Sequence, residues 1–211
     1  MDGKVEIKIC GLTRTDEARY LNETGVDYAG FVFYEKSKRN IKKYRAVEIM
    51  SELDKGIKRV AVTVSPDMAL IEMIENSGFD IIQVHGDISD CCLEKCGIPV
   101  WRALNVTDID DLYQKLRFFE QNNPEIYKKT IGIVIDAPAY GSGKTFDWNE
   151  KIKLPFRLEK QIILAGGLDA CNVKEGIRLF EPDIVDVSSS VEGKEGKSYE
   201  RIREFVNAVK T

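Results

Sequence analysis

No apolar run in this 211-residue chain approaches the roughly 18 residues that span a bilayer. Nor does charge of one sign dominate: 31 Lys and Arg stand against 35 Asp and Glu, a formal net charge of -4. The first absence argues against a spanning helix. The second removes the long-range basic field that would hold nucleic acid or a membrane surface, so an anionic ligand would need local positive groups. Histidine is almost missing, His85 being the only one. The five cysteines, at Cys10, Cys91, Cys92, Cys96 and Cys171, are an odd set and do not make the disulfide framework of a secreted scaffold. Cys92 and Cys96 are four apart on a predicted helix with His85 near in sequence, but no second pair completes four ligands, so small thiols are expected there and no metal. Low-complexity linkers are also lacking. Met1 to Lys8 alternates charge with apolar residues, unlike a leader. The expectation is a soluble, cytoplasmic protein forming one domain over residues 1–211.

What is present is a repeating pattern. Short β-branched runs recur at 5–9, 28–33, 58–64, 79–84, 98–104, 131–136, 160–165 and 183–187, with helical stretches between them. Eight such units predict an α/β fold of the (β/α)8 TIM-barrel class, with an open doubly wound sheet as the alternative, because periodicity does not show closure. Runs such as Ile131-Gly-Ile-Val-Ile135 are nearly all apolar, as parallel strands covered on both faces should be. Ser65-Pro66-Asp67 predicts a helix start with Ser65 as N-cap, Leu70, Ile71 and Ile74 as the buried face and Gly78 as the stop. At the other end Ile202, Phe205, Val206 and Val209 form an amphipathic face able to close the ring.

One stretch combines several signals. The run Ile133 to Ile135 ends in Asp136, and the loop Gly141-Ser-Gly143-Lys144-Thr follows before Asp147 opens a helix. The tail of that loop imitates a P-loop, but the motif needs glycine where Pro138 stands, so nucleoside triphosphate binding is rejected. Active faces of such barrels form at the C-terminal strand ends. There the sequence places Cys10-Gly11, Ser37 to Arg39, Thr63 and Ser65, Gln83 and His85, Arg102 and Asn105, Asp136, Gly166-Gly167, and Asp186 with Ser188 to Ser190. The last two ends predict a phosphate cradle: Gly166 and Gly167 bare their N–H groups, and Ser188 and Ser189 add hydroxyls.

Taken together, Lys8-Ile-Cys10-Gly11, Gly30 to Arg39, Gln83-Val-His85-Gly86, Asp136 with Gly141 to Trp148, Leu164 to Leu168 and Asp186-Val-Ser-Ser189 resemble the phosphoribosylanthranilate isomerase family, in order over nearly the whole chain. The resemblance implies a cofactor-free Amadori rearrangement of a small phosphosugar, with no nucleic-acid or membrane partner and a monomeric or homodimeric state. It assigns Asp136 as the acid that opens the ribose ring and Cys10 as the base that takes the C2 proton. Each role demands a shifted ionisation, from about 3.9 upward for the carboxyl and from about 8.5 downward for the thiol, the latter promoted by a helix terminus or a neighbouring cation. The resemblance further implies that Arg39 binds the anthranilate carboxylate through its planar fork, that His85 and Asp186 assist substrate binding, and that Gly141 and Gly143 join the phosphate site; the same two glycines would let residues 139–145, with Lys144, fold over a bound substrate as a lid. The chain departs from the family pattern at Lys38, Ser142, Val84 and Ser190, the last beside the expected phosphate, and its third strand lacks the family's phenylalanine and asparagine. Two other readings are a broad-specificity phosphosugar isomerase, which the cysteine at position 10 argues against, and a phosphometabolite-binding protein without turnover, which the retained Cys10 and Asp136 disfavour.

Overall fold

The computed structural model describes residues 4–122, 124–137 and 160–211. Eight parallel strands close into a barrel in chain order: β1 (Glu6–Cys10), β2 (Tyr28–Phe33), β3 (Lys58–Val64), β4 (Ile81–His85), β5 (Val100–Asn105), β6 (Thr130–Asp136), β7 (Gln161–Leu164) and β8 (Ile184–Val187), with β8 pairing back onto β1. The described helices are α1 (Asp16–Thr24), α2 (Lys43–Ser51), α3 (Met68–Glu75), α4 (Asp90–Lys95), α5 (Ile109–Asn122), α6 (Pro124–Lys129), α7 (Val173–Phe180) and α8 (Tyr199–Lys210). Both α5 and α6 lie between β5 and β6, and the connection from β6 to β7 falls almost entirely outside the described residues. No described helix is long and apolar enough to cross a membrane.

Strand alternation divides the apolar residues into two cores. Outward residues such as Ile7, Ile9, Phe31 and Ile135 meet the helices, including Ile71 and Ile74 of α3 and Ile202, Phe205 and Val206 of α8. Inward residues, among them Tyr28, Val60, Trp101, Val134 and Ile163, fill the barrel. Tyr28 and Trp101 stack at a tilt with centroids 5.2 Å apart. The large indole fits because the neighbouring strand β6 offers Gly132 in register with it, where a Cβ would lie 2.6 Å from the indole ring. The expected start of α3 needs correction. Ser65 is not its cap; it takes a left-handed φ of 47° and bonds the β4 end, its N–H donating to His85 O at 2.8 Å. Asp67 is the N-cap instead, its carboxylate accepting from the Leu70 N–H at 2.8 Å, because a cap must stand next to the first helical residue, here Met68.

Candidate active site

The C-terminal mouth of the barrel holds a cavity of about 410 Å³. Cys10 from β1, His85 from β4, Asp136 from β6 and Asp186 from β8 all reach it, and loops deliver Arg39, Gly166, Gly167, Ser188 and Ser189. Cys10 and Asp136 therefore share one rim, with β8 and β7 between their strands. Gly141, Gly143 and Lys144 lie outside the described residues.

Asp136 terminates β6 with its Oδ1 accepting the Ala137 N–H at 2.8 Å. Burial pushes its carboxyl up to about 6, aided by Asp186 and opposed by the Ala137 bond and Lys8. Gly166 shapes this position. Its φ is 79°, and a Cβ would lie 2.4 Å from the Ala137 nitrogen and 2.9 Å from Asp136 Oδ1, so only glycine lets the β7 loop come this close. Gly167 follows at φ 69°.

Cys10 is buried, and burial pushes its thiol up, with Lys8 and Lys197 pulling the other way. This corrects the expectation of a lowered thiol, because desolvation outweighs the cations. The α1 helix contributes little, since its first residue is Asp16, six positions on. Two buried lysines supply the positive charge instead, and residue-by-residue reading had not singled out either one. Lys8 Nζ donates to Asp186 Oδ2 at 2.7 Å. Lys197 donates to the Ser188 carbonyl at 3.0 Å and to Glu192 Oε1 at 3.3 Å. A signal for Lys8 was available: two residues before Cys10, it shares that residue's inward face.

Arg39 is held in the loop after β2, where the Ser37 hydroxyl accepts its N–H at 3.1 Å. Its side chain is buried, its Nε bonds Glu192, and its Nη2 is buried with no partner among the described residues. Lys38 also pairs with Glu192, at 2.9 Å, but from an exposed position. Glu192 would rise on burial alone, yet Arg39, Lys197 and Lys38 together hold it down at about 2. It was missed in the sequence because it stands past the expected phosphate serines in a loop without a motif.

His85 is buried at the cavity wall with Nε2 2.9 Å from the Gln83 amide nitrogen. Burial, with help from Lys8, pulls it down to about 4, so it is neutral near pH 7 and can offer a hydrogen bond but no charge. The Ser188 hydroxyl donates to the Cys10 carbonyl at 2.9 Å, tying β8 to β1. Ser190 donates to the Leu168 carbonyl at 2.6 Å, so its hydroxyl joins the two loops, and it is not among the residues lining the cavity. Among the described residues no group of His, Cys, Asp and Glu could hold a metal ion.

The family model described as N-(5'phosphoribosyl)anthranilate (PRA) isomerase matches residues 7–208. The chain belongs to this PRA isomerase family. An N-(5'-phosphoribosyl)anthranilate isomerase from Thermoanaerobacter sp. (strain X514) is 37% identical over 211 residues, 98% of each chain. Its counterpart from Bacillus cereus (strain ATCC 14579) is 37% identical over 205 residues, 95% of this chain and 96% of that one. Among solved PRA isomerases, the Thermotoga maritima structure superposes with a TM-score of 0.83 at 32% identity, covering 98% of both chains. A PRA isomerase in complex with reduced 1-(O-carboxyphenylamino)-1-deoxyribulose 5-phosphate aligns at 0.80 and 32%, again over 98% of both.

Proposed function

We infer that Cys10 and Asp136 carry the reaction of this family, the Amadori rearrangement of N-(5-phosphoribosyl)anthranilate to 1-(2-carboxyphenylamino)-1-deoxyribulose 5-phosphate. The observation that carries the reading is that thiol and carboxyl, 126 positions apart in sequence, open onto the same cavity from different strands. Asp136, raised to about 6, keeps enough of its proton near neutrality to give it to the ribose ring oxygen as the C1–O bond breaks. The Cys10 thiolate then takes the C2 proton, leaving an enolamine. That intermediate gains a proton at C1 and loses one from O2 to become the ketone. The enzyme resets when the proton on Cys10 is returned, in net terms, to Asp136.

The remaining residues place the substrate. Arg39 binds the anthranilate carboxylate: its Nε is spent on Glu192, and its unpartnered buried Nη2 is available for the ligand. Asp186 Oδ1, likewise buried without a partner among the described residues, is an acceptor for the substrate's amine or a sugar hydroxyl. His85 contributes as a neutral hydrogen-bonding group. Gly166, Gly167, Ser188 and Ser189 hold the phosphate. The test follows the loss of fluorescence of freshly made phosphoribosylanthranilate. Wild type is active, while Cys10→Ser and Asp136→Asn each lose at least about 100-fold in kcat. Full activity in either variant removes that residue from the mechanism, and an inert wild type defeats the isomerase reading.

A further inference from the structure

Lys8 is 0% exposed, an unusual position for an ammonium. Strand alternation points it into the barrel beside Cys10, and β1–β8 register sets it against Asp186, its partner at 2.7 Å. On its other flank stands Gly30 of β2, in register with Cys10. A Cβ built on Gly30 would lie 3.0 Å from the Cys10 sulfur and 3.2 Å from Lys8 Nζ. Thiol and ammonium therefore border one small gap and are no more than about 6 Å apart, the range in which an opposite charge governs an ionisation. A buried ion pair is weak evidence of a stabilising role, since apolar residues of similar volume often do as well. This pair also leaves Asp186 Oδ1 unpartnered, which an arrangement made for packing would not do.

We propose that Lys8 is a positioning residue for the reaction: its ammonium, fixed by Asp186, is the counter-charge against which Cys10 forms its thiolate. The inference rests on the reading of Cys10 as the base. Lys8 keeps its own protons throughout; the proton still passes from substrate C2 to sulfur, and Lys8 changes only the energy of the charged sulfur. The charged groups that act on the thiol are Lys8 from β1, Asp186 from β8 and Lys197 from the short hairpin strand Gly196–Lys197 beyond β8. Asp136 and His85 face Lys8 from β6 and β4, and the Arg39 stem packs over Gly11 with its guanidinium on Glu192. Lys197 is spread over Ser188 and Glu192, which leaves Lys8 as the cation that borders the same gap as the sulfur.

The experiment measures the pH midpoint of iodoacetamide alkylation at Cys10, located by peptide mass spectrometry, in wild type, Lys8→Arg and Lys8→Met. The expected result is a midpoint higher by about one pH unit or more in Lys8→Met, with Lys8→Arg nearer to wild type. Should Lys8→Met fail to fold, Lys8→Met/Asp186→Asn is compared with Asp186→Asn, so that the two differ only in the ammonium, and the midpoint is expected to be higher in the double variant. An unmoved midpoint in a folded variant lacking the ammonium overturns the proposal, even if turnover is lost. Measuring turnover of Cys10→Ser in parallel separates the two readings: a shifted midpoint alongside an active Cys10→Ser sinks the base assignment and leaves the Lys8 effect standing.

Discussion

Replacing Asp136 by asparagine should make this protein more stable while abolishing its activity. A buried carboxyl with a folded value of about 6 and an ordinary value of 3.8 binds its proton more tightly in the folded chain than in the unfolded one. Below about 4 both states are protonated and the site is neutral toward stability. Between about 4 and 6 the unfolded chain releases its proton while the folded chain keeps it, so stability falls as pH rises. Above 6 the full penalty is present, roughly two pH units or about 3 kcal/mol, caused mainly by burial. Asparagine fills the same volume, can still accept the Ala137 N–H, and carries no charge to desolvate. Urea unfolding of Asp136→Asn and wild type at pH 8 and pH 4 reads the difference. The variant should be more stable by about 1–3 kcal/mol at pH 8, with the gap closing at pH 4. A variant no more stable than wild type at pH 8, or a gap that persists unchanged at pH 4, would refute the burial argument.

The same ionisations predict the pH dependence of kcat/KM. It should fall with acid on a limb near pH 6 set by Asp136 and fall with base on a limb above pH 9 set by Cys10, with a plateau between. On that plateau, carboxylic acid and thiolate coexist in only a small fraction of the free protein, and a stopped-flow profile with both limbs below pH 7 would contradict it. Asp186→Ala strands the Lys8 ammonium without its partner and should cost about 3–5 kcal/mol in denaturant unfolding at pH 7, most of it recovered by adding Lys8→Met. Gly166→Ala forces a side chain into a left-handed residue and against the Ala137 backbone. It should lose about 1–3 kcal/mol and, by displacing Asp136, lower kcat by more than it raises KM in steady-state assays.

The sequence by itself determined most of the architecture. The β-branched runs that predict eight strands overlap the eight observed ones, with edges differing by two residues or fewer, because strands buried on both faces must be nearly all apolar and so are conspicuous. It also placed Cys10, His85, Asp136 and Asp186 at the barrel mouth, since a polar residue at the end of an apolar strand is a local signal, and Arg39 in the loop that follows β2. Only the tertiary structure decided closure, because nothing in the periodicity of β1 or β8 announces that Lys8 will stand beside Asp186. The partners of each site group were settled the same way. Glu192 clamping Arg39, Lys197 reaching Ser188 and Gly166 touching the end of β6 are contacts between residues far apart in sequence or in loops without motifs. The direction of the thiol's ionisation belongs here too. Adjacent lysines suggest a lowered value, but burial acts over the whole surroundings of Cys10, and only the folded barrel fixes how much water those surroundings exclude.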